Sequence, residues 1–189
     1  MVRPTFLLML FLALPGCGSD EVGSDEDAKL AYEGLDGSID KSITLGFQGF
    51  NAASSANISP QSGKGDKAGT ITVGGQVDQG SSDNKTMNLT VELKGYSDDD
   101  KLTYDTTGSL PALSMKLSKI PTGTVDGTLS GDYAMTGDLE GDVTLSISFS
   151  GQLQPTAADP TKVERKPGTT HITGTATSGD GRYNVDLTQ

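Results

Sequence analysis

The chain of 189 residues contains no tryptophan, one cysteine and one histidine. Each scarcity removes a class of function. A single cysteine, Cys17, closes no intrachain disulfide, so no covalent framework holds the fold. A zinc site needs three or four His, Cys or carboxylate ligands, which a lone His171 and Cys17 do not readily supply. A hydrolytic triad needs histidine beside a nucleophile and an orienting acid, and no G-x-S-x-G elbow occurs in the sequence. His171 lies in KPGTTHITG at the start of an expected strand, outside the inward set Ile172, Gly174 and Ala176, so it reads as a surface histidine. No cofactor or metal is expected.

Positive charge is scarce as well, with 14 Lys and Arg against 25 Asp and Glu and a net charge of −11. That balance disfavours nonspecific binding to nucleic acid or anionic headgroups, which calls for a basic patch. Aromatic residues are 5 % of the chain. A transmembrane β-barrel, with its aromatic girdles and lipid-facing apolar band, is excluded on that ground. Long apolar runs are also missing. The best is Phe6 to Leu14, about half of the roughly 20 residues that span a bilayer.

That short run has a specific context, MVRPTFLLMLFLALPG, with Arg3 before it and the small residue Gly16 directly before Cys17. The order of charge, apolar core and small residue is that of a secretory signal peptide. Leu14-Pro15-Gly16-Cys17 resembles the lipobox of bacterial lipoproteins, with Leu three residues before Cys and a small residue just before it. Pro15 departs from the pattern, where Ala, Ser, Thr or Val is more usual. The resemblance covers residues 1–17 and implies cleavage after Gly16, diacylglycerol on the Cys17 sulfur and a cell-envelope location. Gly18, in place of the aspartate associated with inner-membrane retention, favours the outer membrane. Two or three acyl chains hold a protein far more firmly than one, since each buried methylene adds about 0.8 kcal/mol.

After Cys17 the stretch GSDEVGSDEDAK carries five acids before its first base. Low hydrophobicity with dense like charge predicts a disordered tether over residues 17–28, ahead of a single β domain over 29–189. The β assignment rests chiefly on residues 125–153. Odd positions there are Val, Leu, Tyr, Met, Ile, Phe and Gly, whereas even positions are polar except for Ala134. Strict alternation describes strands with one face on a core and one in water. The parity survives across the whole stretch, so the turn inside it must have an odd loop; Gly137 to Gly141 is the candidate, with a second bend conceivable at Ser130-Gly131-Asp132. At the C-terminus the parity switches, which predicts a two-residue loop at Gly179-Asp180 pairing Ala176 with Tyr183, Gly174 with Val185 and Ile172 with Leu187.

Shorter patterns predict strands at 39–47, 69–77, 87–96, 102–106 and 113–117. Residues 51–67 and 155–168 read as loops, with at most a short helix near 25–33. The expected fold is all-β, an antiparallel meander of about eight to ten strands forming a β-barrel, with a two-sheet sandwich as the alternative. Five glycines on the inward face favour a curled sheet.

Little in this pattern carries chemistry. Asp98-Asp99-Asp100 reads as an acidic loop tip, and Lys162, Arg165 and Lys166 as solvated loop charge. The inward residues Leu129, Tyr133, Met135, Leu145, Ile147 and Phe149 form either a packed core or the lining of a pocket for a lipid-like ligand. The expectation is a lipid-anchored, non-catalytic envelope protein with a structural or protein-binding role. The alternative is a carrier of an apolar ligand in the barrel interior. Its partners are the membrane, through the lipid on Cys17, and a protein or apolar molecule not named by the sequence; nucleic acid is not among them.

Overall fold

The computed structural model describes residues 21–189. The expected signal peptide, the lipobox-like stretch and Cys17 therefore lie outside the described residues. The fold is mostly β, with one long helix, α1 (Asp25–Ala52), followed by ten strands: β1 (Asn57–Lys64), β2 (Ala68–Val77), β3 (Lys85–Ser97), β4 (Leu102–Asp105), β5 (Ala112–Ser118), β6 (Thr124–Gly137), β7 (Gly141–Pro155), β8 (Val163–Arg165), β9 (His171–Ser178) and β10 (Gly181–Thr188).

The strands form one antiparallel sheet in the order β1-β2-β3-β4-β6-β7-β9-β10, with β5 between β3 and β6 and β8 hydrogen-bonded to β7. Strands β5 and β4 lie end to end in one slot of the ladder, β5 against residues 124–130 of β6 and β4 against residues 134–137. The C-terminal hairpin has the predicted register, and the β6–β7 hairpin has the predicted odd loop length, with the loop at residues 136–140, one position before the expected 137–141. Ala176 pairs with Tyr183, Gly174 with Val185 and Ile172 with Leu187. Strands β6 and β7 are joined across an odd loop after the pair Met135 and Gly141. No second bend occurs at Gly131, where β6 runs through.

Helix α1 is the main departure from expectation. Residues 39–47 are helical, not a strand. Ile39, Ile43, Leu45 and Phe47 alternate as in a strand, but with Ala28, Ala31, Tyr32 and Leu35 they also fall at helical spacing, and such short apolar runs fit both periods. The helix begins at Asp25, so residues 25–28 are its first turn where an unstructured stretch was expected. Ser24 Oγ accepts from Asp27 N at 3.2 Å, and Asp27 Oδ2 takes the Gly23 N–H at 3.2 Å and the Ser24 hydroxyl at 2.8 Å. That is a variant of the capping box, with aspartate at its third position reaching the N–H one residue before the cap. Asp25, Glu26 and Asp27 in the first turn complement the helix dipole, so charges that repel in an open chain are stabilising here. Residues 57–64, read as loop, form β1.

At 28 residues α1 is about 42 Å long. The ladder curls but is not hydrogen-bonded shut: among the described residues β1 pairs only with β2 and β10 only with β9. The helix packs against both of these edge strands. Most of its circumference is buried, and one narrow stripe through Glu26, Leu30, Glu33, Thr44 and Gln48 stays exposed. Covering a sheet edge with a helix is one way to protect unpaired backbone groups.

Close packing of α1 depends on its small residues. Tyr104 on β4 donates its hydroxyl to the Ala31 carbonyl at 2.7 Å, and a Cβ on Gly34 would overlap that hydroxyl. Ser38 and Ser42, both buried, donate back to the Leu35 and Ser38 carbonyls at 2.7 Å, so neither hydroxyl is orphaned. Gly34→Ala should raise intrinsic helix propensity by roughly 1 kcal/mol, yet lower stability by about 1–3 kcal/mol through overpacking. Urea unfolding decides the sign, and a stabilised variant would contradict the packing argument. Combining it with Tyr104→Phe should cost less than the sum of the two single changes, because the clashing oxygen is gone.

Candidate functional site

Strand β6 carries Leu129, Tyr133 and Met135, and β7 carries Leu145, Ile147 and Phe149, all toward the concave side of the sheet. The six are 1–3 % exposed and belong to one core cluster with the buried face of α1. Leu129 stands directly opposite Ile147, and Phe149 opposite Gly127. A Cβ at Gly127 would overlap the Phe149 ring, so this glycine admits a facing aromatic side chain. Burial raises the Tyr133 phenol above its ordinary pKa. These residues are placed as packed core.

The acidic triplet is split by the structure into three jobs. Asp98 is turned inward: its Oδ1 accepts from Lys41 Nζ at 2.8 Å and from the Asp66 N–H at 2.7 Å, and its Oδ2 from the Tyr96 hydroxyl at 2.5 Å. Asp99 Oδ1 accepts from the Lys101 and Leu102 N–H groups and closes the β3–β4 turn. Asp100, at φ 63°, occupies the left-handed region that aspartate tolerates better than most residues. Lys41 also reaches Asp66 Oδ1 at 2.7 Å and lies 5.2 Å from the Tyr96 ring centre. Burial opposes ionisation of Asp98, but the donors from Lys41, Tyr96 and Asp66 outweigh it and hold its carboxyl below the usual carboxylate range. Burial likewise opposes the Lys41 ammonium, and the two carboxylates with the Tyr96 hydroxyl overcome it and raise its pKa.

Lys162, Arg165 and Lys166, on β8 and the loop around it, do not form a patch. Arg165 Nη2 donates to Asp40 Oδ1 at 2.6 Å and to Thr44 Oγ1 at 3.0 Å, both on α1. Lys162 pairs with Asp159 at 3.9 Å, and Lys166 reaches Gln152 Oε1 at 3.4 Å. Beside them Asn51 acts as a surrogate strand for β8, donating to the Val163 carbonyl at 2.7 Å and accepting its N–H at 3.0 Å. A cleft of about 360 Å³ opens between the C-terminal half of α1 and this loop.

His171 faces solvent, as expected, and its Nε2 lies 2.7 Å from Asp186 Oδ1. Both side chains are at least half exposed. A shallow depression beside them includes Ser148 and Ser150. An exposed pair of this kind is worth little in water.

A smaller notch of about 230 Å³ lies near the N-terminal end of α1. Leu30, Gly34, Leu102 and Leu139 line it together with Glu33, Asp99, Asp138 and Lys101. The notch was not legible in the sequence, because Leu30, Leu102 and Leu139 come from three separate elements. Among the described residues there is no cluster of three or more His, Cys, Asp and Glu able to hold a metal, and no helix is long and apolar enough to cross a membrane. No family model, curated protein or solved structure matches the chain.

The Asp98 network makes a pH-dependent contribution of definite sign. A depressed carboxyl pKa stabilises the fold above the unfolded value of about 3.9, and that contribution is lost as pH falls through the folded value below it. The raised Lys41 pKa contributes below about 10.4 and is lost as pH rises through its folded value. Asp98→Asn should therefore cost on the order of 1–3 kcal/mol near neutrality, with the difference from the parent shrinking toward pH 3. Urea midpoints at pH 7, 5 and 3 test this; a constant difference would show that Asp98 acts by shape and not by charge.

Proposed function

We propose that the protein is a lipoprotein of the bacterial cell envelope, anchored through Cys17, that binds or supports other proteins and carries out no chemistry itself. In this reading the curled sheet works as a barrel whose missing strand-to-strand closure is supplied by α1. The observation that carries the binding role is the filled interior. The six residues best placed to line a ligand chamber are buried among themselves and their neighbours, whereas the open depressions lie beside α1 and on the outer face of the sheet near His171. Packing of that density leaves recognition to the outer surface.

The anchor supplies geometry as well as location. Cys17 precedes the first helical residue, Asp25, by eight positions. At about 3.6 Å per residue the connection extends at most about 29 Å, so the N-terminal end of α1 stays near the membrane. Gly18 favours the outer membrane on the resemblance already described.

Two measurements test this reading. Metabolic labelling with a radioactive fatty acid should mark the parent chain and not Cys17→Ser, which should accumulate unprocessed or be released from membranes; unchanged membrane retention would refute acylation. Native purification followed by lipid extraction and mass spectrometry should recover no lipid in stoichiometric amount beyond the chains on Cys17. A reproducible stoichiometric lipid would overturn the binding role in favour of an apolar-ligand carrier.

A further inference from the structure

Leu30 is one of only two large apolar side chains strongly exposed among the described residues, at 46 %, the other being Leu110. Isolated exposed leucines are ordinary. Leu30, however, forms a wall of the notch that has Leu102 and Leu139 as its other apolar residues and Gly34 in place of a larger side chain. At about 230 Å³ the notch falls below the roughly 300–1,000 Å³ that encloses a small-molecule ligand. Its size suits one or two anchoring side chains of a larger partner.

Charge selects the chemistry of that partner. Glu33, Asp99 and Asp138 stand at the notch against one base, Lys101. Glu26 lies one turn before Leu30 on the same exposed stripe, and Lys29 between them is shared by Glu26 and Glu33 at 3.7 Å to each. Glu140 follows Leu139 directly, and a backbone β-bridge to Glu21 brings a further acid to the same end. This end of the molecule thus sets an apolar depression within a negative field, in a chain whose net charge is −11. Opposite potentials steer association and reject acidic competitors.

We propose that the Leu30 notch docks an extended segment of a partner protein in which an aliphatic or aromatic side chain is flanked by Lys or Arg. The apolar side chain enters between Leu30, Leu102 and Leu139, and the flanking cations meet Glu33, Asp99 and Asp138. The proposal deepens the protein-binding role and rests on it, but it does not depend on the lipid at Cys17.

The test uses the full-length chain in detergent and the capped hexapeptide Lys-Lys-Leu-Phe-Lys-Lys. Titration followed by amide NMR should shift the signals of residues 30, 33, 101, 102 and 139. Lys-Lys-Ser-Ser-Lys-Lys should bind about tenfold more weakly, as expected for loss of even partial apolar burial. Leu30→Ser should weaken the first peptide by a similar factor, while Leu110→Ser leaves it unchanged. Raising the salt from about 0.05 M to about 0.5 M should weaken binding severalfold by screening. Equal binding of both peptides, indifference to Leu30→Ser, or no binding at millimolar peptide would each overturn the notch. Shifts confined to another face would overturn it too while leaving a protein-binding role in place, whereas a stoichiometric lipid in the purified protein would remove that role by a separate measurement.

Discussion

Everything in this structure depends on how α1 fits the seam between β1 and β10. The two edge strands are not paired with each other, and exposed edges invite pairing with other chains. A helix in the seam buries apolar surface against both sides but satisfies no ladder hydrogen bonds. It is therefore held by side chains, and the sequence places two of them side by side. Asp40 and Lys41 are adjacent and so point about 100° apart around the helix. Asp40 takes Arg165 on the β8 side, and Lys41 takes Asp66 and Asp98 at the opposite turns. Farther along, Arg182 N donates to Asp25 at 2.9 Å, and the Gln189 amide donates to Asp36 at 3.2 Å. The helix is thus tied to both margins of the opening along much of its length.

The same fit explains why the surface is more inviting than the interior. With α1 in the seam, its buried face and the concave side of the sheet make one continuous core. Depressions are left where the helix meets strand ends and loops, among them the Arg165 cleft and the Leu30 notch. A helix that closes the fold also forms one wall of both depressions, and under the proposed lipid anchoring it would link attachment, stability and recognition in one element.

Much of the ladder was legible in the sequence. The Gly179-Asp180 hairpin and the odd loop between β6 and β7 follow from a side-chain period of two that the turns must respect. The helix was not legible for physical reasons. Gly34, Gly37, Gly46 and Gly49 and the β-branched Ile39, Ile43 and Thr44 lower its intrinsic propensity. Burial against two sheet edges outweighs that local cost, and glycine is selected where the neighbour stands too close for a Cβ. The capping box at Ser24 was present as a signal, but five surrounding acids made the same residues read as an unstructured tether. Strand β1, with Pro60 and a register shift between Ile58 and Gln61, has no clean alternation to recognise.

The sequence by itself determined the alternating strands, the parity of their turns and the inward face, because a two-residue period is a local property of the chain. It also determined the resemblance of residues 1–17 to a lipoprotein leader and the scarcity of residues that do chemistry. Only the tertiary structure decided that Ile39 to Phe47 is helical, that Asp98 is a half-buried partner of Lys41, and that Leu30, Leu102 and Leu139 meet in one notch. Those outcomes depend on which distant residues share a few ångströms of space. That proximity is set by sheet curvature and by the one helix that completes it.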